Sequence, residues 1–323
     1  MQYNPLGRTG LNVSRIGFGG GGIGQVWGAT TRDEAVRAVH RALDLGINYF
    51  DVAPAYGDGK AEEALGIALE GRSEEVFIGT KVRVPADNLA DATGAVKRSM
   101  ETSLRLLKRD SVDILHVHNR FTENRGDVPN SLSADDVTGP VLEAYQAVQQ
   151  AGKTRFIGLS AMDHDVPTLN KIMDTGDWDT MLAYYNLLNQ TAQSPPPPGV
   201  NLFDNGQNIL LAKKHDMGVI GIRSHAAGAL TSGVDRPVPP DNELLRQDVA
   251  SAAQLGFLLD GNIKNLSQAA TVYCLMNEDI HTTVPGVKNQ AETEEMAACI
   301  DLDAFSPAQM ARLGELYNKA FIS

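Results

Sequence analysis

Short apolar runs alternate with longer amphipathic stretches along almost the whole chain. A run of four to seven apolar residues without internal period reads as a strand buried on both faces. Apolar residues recurring every three or four positions read as a helix lying on such a sheet. Residues 2–15 hold two short strands around the turn signal Gly7-Arg8-Thr9-Gly10. The first buried run is 15–19, and later runs lie at 49–52, 76–82, 112–118, 156–161, 181–185, 219–223 and 281–285.

Between these runs the period is helical. Thr30 or Thr31, with Glu34 nearby, caps a helix whose apolar face is Ala35, Val36, Val39, Ala42 and Leu43, and Gly46 ends it. Further helices are predicted at 61–70, 90–108, 141–151, 166–173, 203–215 and 265–277, with a loop and helix in 226–259. Two more, 289–300 and 307–320, follow the last strand. The polar connection 119–140 has the length of a lid or binding loop. Pro195 to Pro198 form a stiff, extended spacer. Gly19 to Gly22 make a flexible run, but no helix follows it as a dinucleotide fingerprint requires.

Strands alternating with helices call for a parallel sheet. Eight such units without a break in composition predict one (β/α)8 TIM barrel over 1–323, with an N-terminal β-hairpin and extra C-terminal helices. The length of 323 residues suits that size, and 42% hydrophobic with 21% charged residues is ordinary globular composition. A net charge of -12 disfavours nucleic acid as a partner. No charged-then-apolar leader follows Met1 and no apolar run is long enough for a bilayer, so a cytoplasmic protein without a membrane partner is expected. Cys274 and Cys299 give no disulfide framework and read as buried thiols.

In a barrel, chemistry sits where the strands end at their carboxyl side. Asp51, Lys81 and His118 stand at three such ends, and Tyr56 follows Asp51 after Pro54 breaks the extended backbone. A phenol is a poor acid near neutrality, and a neighbouring ammonium is expected to lower its pKa. Asp51 would hold Lys81 in place, and His118 would orient a carbonyl or join the proton relay. Such a set suits protonation of a carbonyl oxygen while hydride reaches its carbon. Each member also has a structural reading: Asp51–Lys81 as a barrel ion pair, His118 as a satisfied core imidazole. His116, two residues earlier on the same face, reads as a packed, hydrogen-bonded core residue.

Several segments in order carry a resemblance to a known family. They are 6–10 (LGRTG), 49–57 (YFDVAPAYG), 80–82 (TKV), the His118 strand, 158–160 (GLS), 185–189 (YNLLN) and 284–288 (VPGVK). Over nearly the whole chain the sequence resembles the aldo-keto reductases. The resemblance implies a catalytic tetrad of Asp51, Tyr56, Lys81 and His118, with the tyrosine as general acid/base. It implies NADP(H), or else NAD(H), extended across the barrel mouth, and a small-molecule aldehyde, ketone, alcohol or sugar as substrate. It places Ser160, Tyr185, Arg223, Gly286, Lys288 and Glu295 at the nucleotide. Tyr185 would stack on the nicotinamide and Lys288 would meet the 2′-phosphate. The chain departs from the family at Ala161 and Leu182, where amides normally hold the carboxamide, and at Met296, where asparagine is usual. Arg223 would partly compensate for those amides. A metal-dependent barrel hydrolase built on His116 and His118, and a non-catalytic cofactor-sensing barrel, are the competing readings; no metal is expected.

Overall fold

The computed structural model describes residues 1–72, 75–200, 202–232 and 242–321. Part of the predicted segment 226–259, residues 233–241, lies outside the described residues. Two strands, β1 (Tyr3–Pro5) and β2 (Asn12–Ser14), pair antiparallel as the predicted hairpin. Eight parallel strands follow: β3 (Phe18–Gly19), β4 (Tyr49–Asp51), β5 (Phe77–Val82), β6 (Val112–Val117), β7 (Thr154–Ala161), β8 (Thr180–Tyr184), β9 (Gly218–Ile222) and β10 (Thr282–Thr283). They are ordered strictly by sequence, each paired with the next.

The sheet closes on itself at its two shortest strands. Gly17 N–H donates to Thr283 O at 2.8 Å, Thr283 N–H to Arg15 O at 3.0 Å, and Gly19 N–H to Pro285 O at 3.0 Å. Gly19 is needed there, because a Cβ would sit 2.6 Å from the Pro285 carbonyl oxygen. This (β/α)8 barrel is the predicted fold.

Alternation along the strands sorts two cores. Tyr49, Phe77, Ile114, Leu182, Ile220 and Val284 point into the barrel, where Leu6, Leu11 and Val13 of the hairpin region join them. Each of those three is almost fully buried, which stabilises by about 1.5–3 kcal/mol per side chain. The hairpin therefore plugs the amino end of the barrel. The second core lies between strands and outer helices. Helix Arg32–Asp44 shows how: Thr31 and Glu34 form a capping box, and Ala35, Ala38, Val39, Ala42 and Leu43 face the sheet.

Two boundaries differ from the periodicity. The helix predicted at 203–215 begins only at Asn208, because Gly206 and Gln207 take left-handed backbone and the Asn205 amide is tied to Asn189 and Thr191. Connection 119–140 is stapled to the barrel rather than poised as a lid. Asn119 accepts from Val84 N–H and donates to Val84 O and Asn130 O, and Arg125 is paired with Asp136.

His164, after β7, is 5% exposed, edge-on to Phe203, with both ring nitrogens lacking hydrogen-bond partners. Burial pushes its pKa down to about 4. Between pH 6.5 and 4 the unfolded chain binds a proton there that the native chain does not, so stability falls on acidification through that window. His164→Leu is expected to flatten the pH dependence of the unfolding free energy by about one proton near pH 5, read from denaturant midpoints.

Candidate active site

At the carboxyl end of the barrel is a cavity of about 370 Å³. Its floor is Asp51, Tyr56, Lys81 and His118. Residues 51, 81 and 118 share inward register on neighbouring strand ends, which is why three distant segments converge.

Lys81 is 1% exposed and donates to Asp51 Oδ2 at 2.7 Å and to Val52 O at 2.8 Å. The other Asp51 oxygen has no hydrogen-bond partner, so Lys81 alone holds that carboxylate. Burial favours the neutral amine, but Asp51 and the Tyr56 phenol outweigh it and keep Lys81 an ammonium. Burial pushes the Asp51 carboxyl up, against the pull of Lys81.

The Lys81 ammonium lies 4.7 Å from the centre of the Tyr56 ring. It does not lower the phenol below its ordinary range, contrary to the expectation from sequence. Burial raises the Tyr56 pKa, and Asp51 adds to the rise, against the pull of Lys81 and Arg223. The physical reason is first the burial of the phenol, which disfavours the phenolate more than Lys81 favours it, with the Asp51 carboxylate adding to the rise. Tyr56 is thus a neutral phenol at physiological pH. His118 meets it edge-on, ring centres 6.3 Å apart. Burial, then Lys81 and Arg83, hold His118 down at about 3, so its imidazole is uncharged. His116 lies one layer deeper, fully buried, hydrogen-bonded through Nε2 to Thr180 Oγ1 at 3.1 Å.

Ser160, Leu182, Arg223, Gly286, Lys288 and Glu295 also line this cavity. Arg223 has a left-handed backbone, φ 59°, with its carbonyl held by Asn186 Nδ2 and Ala226 N–H, both at 2.9 Å. Ala226 and Ala227 are left-handed as well, so this wall carries backbone strain beside the cavity. The Arg223 guanidinium lies over the Trp27 ring at 5.4 Å. Glu295 accepts a hydrogen bond from Asn265, and Met296 Sδ accepts from Thr271 Oγ1 at 3.3 Å.

Tyr185 is a correction. It does not line the cavity; its hydroxyl donates to Tyr273 at 2.9 Å, and the two rings stack at 5.2 Å in the outer core. Leu182 and Tyr185 are three residues apart, and three steps along a strand end on opposite faces. Tyr184 has the inward parity, and the charges of Asp248 and Arg223 act on it. No residue of 119–140 lines the cavity either. Residues 223–232 form the wall assigned to that lid, together with Gly21, Val26 and Trp27.

Trp27 and the glycine run were missed in the sequence. A Cβ at Gly22 would lie 2.0 Å from Val287 O, and one at Gly286 2.7 Å from the Trp27 ring. Glycines packed this closely mark backbone-to-backbone approach, a signal that was present but was read only as flexibility.

A plugged barrel with a cavity at the carboxyl ends of its strands, holding a few convergent polar groups, has the form of a barrel enzyme. Residues 15–318 match the model described as Aldo/keto reductase family. An L-galactose dehydrogenase from Arabidopsis thaliana is 30% identical over 306 residues, 93% of this chain and 88% of that protein. A pyridoxal 4-dehydrogenase from Microbacterium luteolum is 24% identical over 331 residues, 91% of each chain. In fold the chain is similar to aldo-keto reductase AKR11C1 from Bacillus halodurans, with TM-score 0.75, 21% identity and coverage of 98% of this chain and 96% of that one. It is also similar to an aldo-keto reductase from Klebsiella pneumoniae in complex with NADPH, with TM-score 0.73, 22% identity and coverage of 98% and 95%. The chain belongs to the aldo/keto reductase family and is an oxidoreductase.

Among the described residues no group of three or more His, Cys, Asp or Glu could hold a metal ion, and no helix is long and apolar enough to cross a membrane.

Proposed function

We propose that this protein transfers hydride between a nicotinamide nucleotide, NADP(H) or NAD(H), and an aldehyde, ketone or sugar, with Tyr56 as general acid/base. The observation that carries the proposal is a neutral phenol set over a buried Lys81–Asp51 pair, beside an uncharged His118, in the cavity at the carboxyl ends of the strands. The relatives named above are both dehydrogenases, which agrees with such an exchange.

The cavity residues fit a dinucleotide. Gly19, Gly21 and Gly286 leave bare backbone in the lining, Arg223 and Lys288 add two cationic side chains, and Glu295 adds a carboxylate. Ser160 offers the cavity a hydroxyl, and Leu182 only apolar surface. When bound, the nucleotide supplies or accepts the hydride. Tyr56 gives its proton to the carbonyl oxygen in reduction and takes it back in oxidation. Lys81 stabilises the phenolate left behind, and Asp51 fixes Lys81. His118, neutral, donates a hydrogen bond to the same oxygen and sets the approach of the carbonyl.

The pH dependence has a sign. Reduction needs the phenol, and the Tyr56 pKa is raised, so the reductive kcat is expected to stay flat from pH 6 to 8. Oxidation needs the phenolate, so its rate should still be climbing at pH 9. Turnover of a panel of aldehydes and sugars, followed by nucleotide absorbance in both directions, tests the proposal. Tight nucleotide binding without turnover of any panel member would instead favour a cofactor-sensing barrel, the reading that Leu182 in the cavity wall supports.

A further inference from the structure

In the cavity wall, Lys288 is already engaged. Its Nζ lies 3.0 Å from Glu292 Oε1, and its backbone N–H donates to Glu292 Oε2 at 2.8 Å. Asn289 Nδ2 adds a third donor to Glu292 Oε1 at 3.3 Å. Glu292 itself lines the cavity, with Glu295 beside it. The segment is held in place: Thr30 Oγ1 donates to Lys288 O at 2.9 Å, and Asn289 Oδ1 caps the following helix, Gln290–Ala298. One carboxylate thus takes both the ammonium and the amide that an incoming phosphate would use.

A phosphate monoester carries about −1.5 to −2 charges at neutral pH. Here it would have to displace Glu292 from Lys288 and then stand next to two carboxylates. A ribose hydroxyl meets no such opposition, because it can donate to the Glu292 oxygen. Given the nucleotide-dependent activity proposed above, on which this rests, we infer that Glu292 is the residue that sets nucleotide preference. It acts as an internal counter-anion that suppresses recognition of the 2′-phosphate, so the protein holds NAD(H) at least about as well as NADP(H).

The test is direct binding, followed by quenching of Trp27 at the cavity wall or by calorimetry, and needs no turnover. The probes are NADP⁺, NAD⁺ and the half-molecules 2′,5′-ADP and 5′-AMP, which differ by the phosphate alone. In the wild type, 2′,5′-ADP should bind within about tenfold of 5′-AMP; a preference above about a hundredfold overturns the inference without any variant. Glu292→Gln should tighten 2′,5′-ADP and NADP⁺ about tenfold or more and leave 5′-AMP and NAD⁺ within about twofold. Adding Lys288→Ala to that variant should abolish the gain. Equal tightening of all four probes, or none, overturns the assignment of Glu292 while leaving the nucleotide reading intact. Absence of binding by either dinucleotide to the wild type overturns both.

Discussion

Tyr56→Phe is expected to lose about 10²–10⁴-fold in kcat while the nucleotide dissociation constant changes by less than about threefold. The substitution removes one oxygen from a ring that is packed against the core and leaves the Lys81–Asp51 pair intact. Binding and chemistry therefore separate cleanly. Single-turnover rates with a saturating nucleotide, beside a fluorescence titration of the same sample, make the comparison. A variant retaining more than about a tenth of wild-type kcat would transfer the proton role elsewhere, with His118 the next group in contact.

The second large effect falls on stability. Lys81→Met leaves Asp51 fully buried with no partner for either oxygen, since Lys81 is its hydrogen-bond donor and the other oxygen already lacks one. Breaking a buried pair from one side costs about 3–5 kcal/mol. Replacing both, as Asp51→Asn with Lys81→Met, removes the stranded charge and should recover most of that loss. Activity should stay low in both variants, because the phenolate has lost its cation. Denaturant midpoints for the two single variants and the double variant give the coupling directly. If the double variant were as unstable as Lys81→Met, the loss would come from packing around residue 81 rather than from an orphaned charge.

The fold was legible because it is periodic. Strands buried on both faces leave uninterrupted apolar runs, and the capping box at Thr31 and Glu34 announces its helix. The site floor was legible for a related reason: residues that end consecutive parallel strands with inward register must meet, and Asp51, Lys81 and His118 do. What the sequence concealed depends on contacts between segments distant in the chain. Whether 119–140 covers the mouth depends on Asn119 reaching Val84 and Asn130, which no local pattern encodes. The pKa of Tyr56 depends first on how completely the folded chain buries the phenol, and then on the nearby charges of Lys81 and Asp51. The outward face of Tyr185 follows from its parity with Leu182, whereas Trp27 beside Gly21 and Gly286 carries no periodic mark at all.

The hairpin that seats Leu6, Leu11 and Val13 beneath the strands has a kinetic corollary. A vessel sealed at its base has one doorway, so two guests that must both reach the floor share a single route. For the proposed nucleotide and carbonyl pair, whichever enters first would narrow the way for the other.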